Sequence, residues 1–187
     1  NSLPIPHFIL KNNKKKSSEL LLFIDREFTP YPVRNSPGPM SFLSSATIKN
    51  LNILFKKLDY LPKSRFYYTA KNNVEKFHFL EIQKIIGAER ILEKNSLTKY
   101  LYKSKLVVCS YPQTAFIESM TTGPTILIYE PRQWNLTSEF RKTYKMMKKA
   151  KIVFDDPTAA ALHINKNWNK IDQWWNQSDV IKSRNNF

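Results

Sequence analysis

The sequence predicts an α/β fold, a doubly wound, mostly parallel sheet of six strands with crossover helices. Three observations carry this. Short β-branched or aromatic runs alternate with helical patterns along the chain, as parallel strands joined by helices require. Apolar side chains make up 42% of the 187 residues, enough for one domain with a real core. No apolar run approaches the roughly 20 residues of a membrane-spanning helix, and the longest, Leu20 to Ile24 and Thr125 to Tyr129, have strand length.

Taken in order, the first strand is Leu20 to Ile24 and the second Arg65 to Thr69. A shorter third is Arg90 to Leu92, the fourth Lys105 to Ser110, the fifth Thr125 to Glu130 and the sixth Lys151 to Phe154. Between the first two, Ile48, Leu51, Ile53, Leu54 and Leu58 form the apolar stripe of a helix. Leu97 to Tyr102 and Phe116 to Met120 give two short helices, the latter stopped by Gly123 and Pro124. Phe140, Tyr144 and Met147 repeat at helical spacing, as do Ala159, Leu162 and His163. A final helix carries Ile171, Trp174, Trp175 and Val180, where the tryptophans read as packing residues.

Composition bounds the function. Cys109 is the single cysteine, which excludes an intrachain disulfide, and His7, His78 and His163 lack metal-ligand spacing. The expectation is a reducing, cytoplasmic setting with no metal. The net charge of +15 points to a polyanionic partner, an anionic membrane surface or phosphorylated substrates, or else to a lysine-rich bias on solvated faces. The cations are spread from Lys11 to Arg184, without the concentrated, aromatic-interleaved pattern of nucleic-acid binders.

In a doubly wound sheet, ligands bind beyond the carboxyl ends of the strands, where the strand order reverses. That places the crevice between the first and fourth predicted strands, and makes Asp25 to Ser41 and Ser110 to Thr114 the loops to inspect. The first is long and proline-rich, with Arg26, Tyr31, Arg34 and Gly38. The second opens directly into a helix. Ser110 and Gln113 fit an S-x-x-Q capping box and Pro112 suits a first turn, so the helix would aim free N–H groups into the crevice. Thr114 and Glu118, four apart, share a helical face. Glu118 is then either an acceptor for ribose hydroxyls or an ordinary solvated acid.

With only three glycines, the chain carries neither G-x-G-x-x-G nor a Walker sequence, which argues against dinucleotide cofactors and ATP. No Ser, His and acid set can be assembled from spacing, and no covalent nucleophile stands out.

The stretch Lys105 to Trp134, K-L-V-V-C-S-Y-P-Q-T-A-F-I-E-S-M-T-T-G-P-T-I-L-I-Y-E-P-R-Q-W, resembles the carboxyl-terminal domain of surface-polysaccharide (O-antigen) transferases, relatives of GT-B-type glycosyltransferases. The resemblance continues through D-D-P-T-A-A-A at Asp155 to Ala161 and I-D-Q-W-W at Ile171 to Trp175, and ends on R-N-N-F at Phe187. Upstream, Pro30 to Arg34 and Ser36 to Pro39 are similar to the family's loop after the first strand. It implies a Rossmann-like GT-B carboxyl-terminal half that binds a nucleotide-sugar donor. Thr114 and Glu118 match the family's T-x-x-x-E, Arg34 and Arg65 match basic positions facing phosphate, and Trp134 matches an aromatic after the fifth strand. Gly123 stands where many relatives have Asn, and Cys109-Ser110 replaces more polar residues.

The donor site expected on this reading comprises Arg34, Arg65, Ser110, Gln113, Thr114, Glu118 and Trp134, with no metal and no cofactor. The partners it implies are the nucleotide-sugar donor, a lipid-linked or glycan acceptor and peripheral contact at the inner membrane face, with no nucleic acid. Residues 1–18, rich in lysine, read as a linker from a preceding domain, and 19–187 as the donor domain with its terminal helix. That other domain would supply the general base, so the 187-residue piece alone is expected to be inactive. The competing reading is a non-catalytic basic module that binds nucleic acid or anionic lipid.

Overall fold

The computed structural model describes residues 19–25, 42–70, 76–92, 97–129 and 137–186. Five parallel strands form one sheet: β1 (Leu20–Asp25), β2 (Phe66–Ala70), β3 (Ser104–Cys109), β4 (Thr125–Ile128) and β5 (Val153–Phe154), in the order β2-β1-β3-β4-β5. β1 lies inside the sheet between β2 and β3, and its run of Leu21, Leu22, Phe23 and Ile24 is buried throughout, as a strand covered on both faces demands. Phe23 lies against Tyr68 and Phe66 of β2, with ring centroids 6.0 and 6.1 Å apart. The chain leaves β1 toward β2 and returns to β3 on the other side, so the strand order reverses between β1 and β3.

Among the described residues the sheet has five strands and not six. Arg90 to Leu92 does not form a strand: Ala88–Arg90 is a 3₁₀ turn, and Ile91 makes a single parallel bridge to Tyr68. Gly87, at φ 91°, starts that turn in the left-handed region, where a side chain is strained. Ile91 and Leu92 reach β2 only through that bridge and a bond from Leu92 N–H to Tyr68 C=O, too little to make a strand.

Nine helices lie among the described residues: α1 (Phe42–Lys57), α2 (Tyr60–Ser64), α3 (Lys76–Ile86), α4 (Leu97–Lys103), α5 (Thr114–Thr122), α6 (Ser138–Lys149), α7 (Pro157–Asn167), α8 (Ile171–Trp175) and α9 (Ser178–Asn185). α1 packs on α3 and α7, and α4 on α5. Local chemistry sets their ends. The Thr137 hydroxyl accepts from Phe140 N–H to start α6, and Asp156 caps α7 by accepting from Thr158 and Ala159, with Pro157 following. α6 closes in a Schellman arrangement: Ile152 N–H donates to Met147 C=O at 2.9 Å and Lys151 N–H to Lys148 C=O at 3.2 Å. Lys151, at φ 62°, holds the left-handed position that glycine usually takes there.

The terminal helix expected from Ile171 to Val180 is two helices. Asn176 ends α8 near φ −97°, ψ 10°, with its side chain on Asp172 C=O, and Gln177 in an extended conformation starts α9. The tryptophans pack as expected. Trp174 and Trp175 are buried, and the Trp174 indole N–H donates to Ala150 C=O at 3.2 Å.

Candidate functional site

β1 is apolar until its last residue, Asp25, which sits at the carboxyl end of the sheet where the strand order reverses. A buried carboxylate is tolerated only when hydrogen bonds replace its water. Here Oδ1 accepts from the Ser110 hydroxyl at 2.6 Å, and Oδ2 accepts from the Tyr68 phenol at 3.0 Å and His78 Nε2 at 2.8 Å. The Asp25 and His78 side chains are both 0% exposed. Since an ionised carboxylate only accepts, Nε2 carries the hydrogen, and in that tautomer Nδ1 accepts from the Ser44 hydroxyl at 2.7 Å. Burial, then the Asp25 charge, then the hydrogen bond to it push the Tyr68 phenol well above its ordinary range. It stays a donor at every working pH.

One acid therefore ties together β1, β2, α1, α3 and the loop after β3. It also decides how α5 begins. The Ser110 hydroxyl is drawn to Asp25 and does not close the expected capping box; Gln113 is the N-cap and makes no side-chain capping bond. Pro112 thus precedes the cap and lies outside the first helical turn. A long-range bond to a buried charge outcompetes a local cap, because charge-assisted bonds are about twice as strong as neutral ones.

Gln113, Thr114 and Glu118 are exposed, while Phe116 and Ser119 turn into the core. Thr114 and Glu118 thus lie together on the solvent side of α5, one turn apart, beyond the β1–β3 switch point. Beside them, Tyr111 meets Tyr129 edge-on at 6.3 Å, and Tyr129 meets Tyr144 at 6.2 Å. Among the sequence-predicted site residues, Ser110, Gln113, Thr114 and Glu118 share this region.

Arg65 does not. It directly precedes β2, its carbonyl accepts from Leu21 N–H, and its guanidinium pairs with Glu19 at 3.0 Å. That is the amino end of the sheet, and the side chain is half-exposed there. Arg34 and Trp134 lie outside the described residues. Sequence reasoning missed Ser44, Tyr68 and His78, and treated Asp25 only as the start of a loop. The one local signal was an acid ending an apolar strand at the switch point. Among the described residues, no group of three or more His, Cys, Asp or Glu could hold a metal ion. None of their helices is long and apolar enough to cross a membrane.

The architecture matches the catalytic domain of a cholesterol-alpha-glucosyltransferase from Helicobacter pylori, with a TM-score of 0.50 and 12% identity, over 91% of this chain and 100% of that one. At that identity the likeness is one of fold: a parallel α/β sheet of the glycosyltransferase GT-B kind. The sequence adds the particular group. The chain belongs to the LIC12162 family of transferases, whose family model matches residues 1–187. No curated protein matches it.

Proposed function

We propose that this transferase moves a sugar from a nucleotide-activated donor in the building of surface polysaccharide, O-antigen or capsule, and that residues 19–187 hold the donor. The observation that carries the reading is the start of α5: at the β1–β3 switch point it exposes Thr114 and Glu118 on one face, and Ser110 is turned away from capping it. Phosphate would meet the first N–H groups of α5, where the helix dipole favours negative charge. Glu118 would accept the two ribose hydroxyls, and Gln113 and Thr114 would donate to phosphate oxygens.

Arg34 belongs to the same proposal as the cation that neutralises the leaving phosphate, and Trp134 as the ring that stacks on base or sugar. Fixed donors aimed at the charge that develops on the leaving group provide the main electrostatic stabilisation in such transfers. The acceptor would be a lipid-linked or free glycan on the cytoplasmic side, met at the inner membrane face. Its hydroxyl would lose a proton to a base from a second domain, reached through residues 1–18. Arg65 has no part in this site.

A thermal-shift panel of nucleoside mono- and diphosphates tests the reading. One base should be preferred, and a nucleotide at 100 times its dissociation constant should stabilise the fold by about 2.7 kcal/mol. A panel in which no nucleotide moves the midpoint removes the donor site.

A further inference from the structure

The amino end of the sheet, opposite the proposed donor site, presents an unusual surface. Asp59 starts α2, whose Pro62 is buried while Tyr60 and Leu61 point outward, 84% and 47% exposed. Leu162, on the outer side of α7, is 60% exposed. The Asn165 side chain brings these elements together: its amide donates to Lys57 C=O at 2.9 Å and its carbonyl accepts from Asp59 N–H at 3.0 Å. Leu162 lies one turn from Asn165 on α7.

Cations lie on the same elements as these apolar side chains. Lys56 and Lys57 end α1, Lys63 ends α2 and Lys166 follows Asn165. Lys63 is held in place, with its ammonium 5.3 Å from the centre of the Phe55 ring and donating to Lys56 C=O at 3.3 Å. The acid within this segment is Asp59. α6 provides a contrast: Arg141, Lys142, Lys145 and Lys149 are exposed along it, but its Tyr144 and Met147 are buried, so that face carries charge without apolar tips.

Single exposed apolar residues are ordinary. A tyrosine and two leucines, raised on adjoining elements that also carry lysines, match the chemistry of a bilayer interface. There aromatic and leucine side chains enter the headgroup boundary while lysines meet anionic lipid. A nucleic acid would use the charge but leave the leucines wet. We infer that this face seats the protein on a bilayer that carries anionic phospholipid. The inference rests on the proposed meeting with the acceptor at the inner membrane face and deepens it, but it is independent of the donor pocket, because it uses the opposite end of the sheet.

Vesicle co-sedimentation of the full chain tests it, using vesicles of phosphatidylcholine alone and of equal parts phosphatidylcholine and phosphatidylglycerol. The parent should pellet with the mixed vesicles and remain in solution with the neutral ones. Lys56→Glu with Lys57→Glu should weaken binding at least tenfold, since each basic residue near an anionic surface contributes about a factor of five. Tyr60→Ser with Leu61→Ser should also weaken it severalfold, with an unchanged melting temperature because both side chains are exposed. A parent that stays in the supernatant overturns the inference. So does equal binding by both double variants, which would assign the attraction to the net charge of the whole molecule. A dimer in sedimentation velocity that Tyr60→Ser with Leu61→Ser dissolves would make the occupant a second copy and overturn it too. The nucleotide panel run on the same variants tests the donor reading separately.

Discussion

Replacing Asp25 tests whether one buried carboxylate organises the candidate site. Asp25→Ala removes the acceptor of three donors. Ser110 is half-buried and can turn to water, but Tyr68 and His78 are fully buried and cannot. A buried donor left without an acceptor costs about 1–3 kcal/mol, so two cost about 2–6 kcal/mol. Against the usual stability of about 5–15 kcal/mol, that is a large share. Asp25→Asn behaves differently. Its carbonyl oxygen, set where Oδ2 lies, still accepts from Tyr68 and His78, and its amide donates to Ser110, whose hydroxyl can accept. What is lost is the charge assistance, on the order of 1–2 kcal/mol in total. Urea denaturation followed by circular dichroism should therefore rank parent, then Asn, then Ala, with similar slopes. An Ala variant within about 0.5 kcal/mol of the parent, the range of ordinary surface substitutions, would refute the arrangement.

Four other outcomes are expected. Glu118→Gln should weaken nucleotide binding by about ten- to hundredfold, the worth of a charge-assisted bond, and leave the melt intact because the side chain is exposed; calorimetric titration and a melt on one sample separate the two. Burial, opposed in part by the bond to Ser119, pushes the Cys109 thiol up to about 12, so a thiol reagent at neutral pH should label the protein only after denaturant is added. Burial, then Lys151 and Lys166, hold His163 down at about 4 against an ordinary 6.5. Its stabilising share is thus complete above about pH 6.5 and lost as pH falls toward 4, on the order of 2 kcal/mol after allowance for its partial exposure, and His163→Phe should flatten the stability curve across that window. Lys151→Gly should raise the unfolding midpoint, since relieving the left-handed φ of 62° gains about 1 kcal/mol.

The sheet was legible because each of its strands carries a short apolar run, and the adjacency of the first and fourth predicted strands followed from the rules of doubly wound topology. α3 was not legible, and its residues explain why. Its inward face carries His78 with Ile82 and Ile86, while Phe77 and Leu80 are exposed, so apolar residues on both faces blur the helical stripe. The hub was hidden for a related reason. Asp25 and His78 are 53 residues apart, and nothing local in either segment says that they pair. At Ser110 the local rule was read correctly and then overridden, because a buried charge elsewhere in the chain offered its hydroxyl a stronger partner. Thr114 and Glu118 needed only helical spacing, which is why their shared exposed face was visible from the start.

The two borders of the sheet bear on how the protein survives crowding. At one border β5 is only two residues long, too short to template another chain. At the other, β2 already has its outer flank engaged where Ile91 bridges to Tyr68 and Leu92 N–H bonds to Tyr68 C=O at 2.9 Å. The apparent failure of Arg90 to Leu92 as a strand thus gives a blunt end, which caps the ladder without offering a new one. A sheet finished in this way resists edge-to-edge growth into fibres, even though each of its five strands carries buried apolar residues.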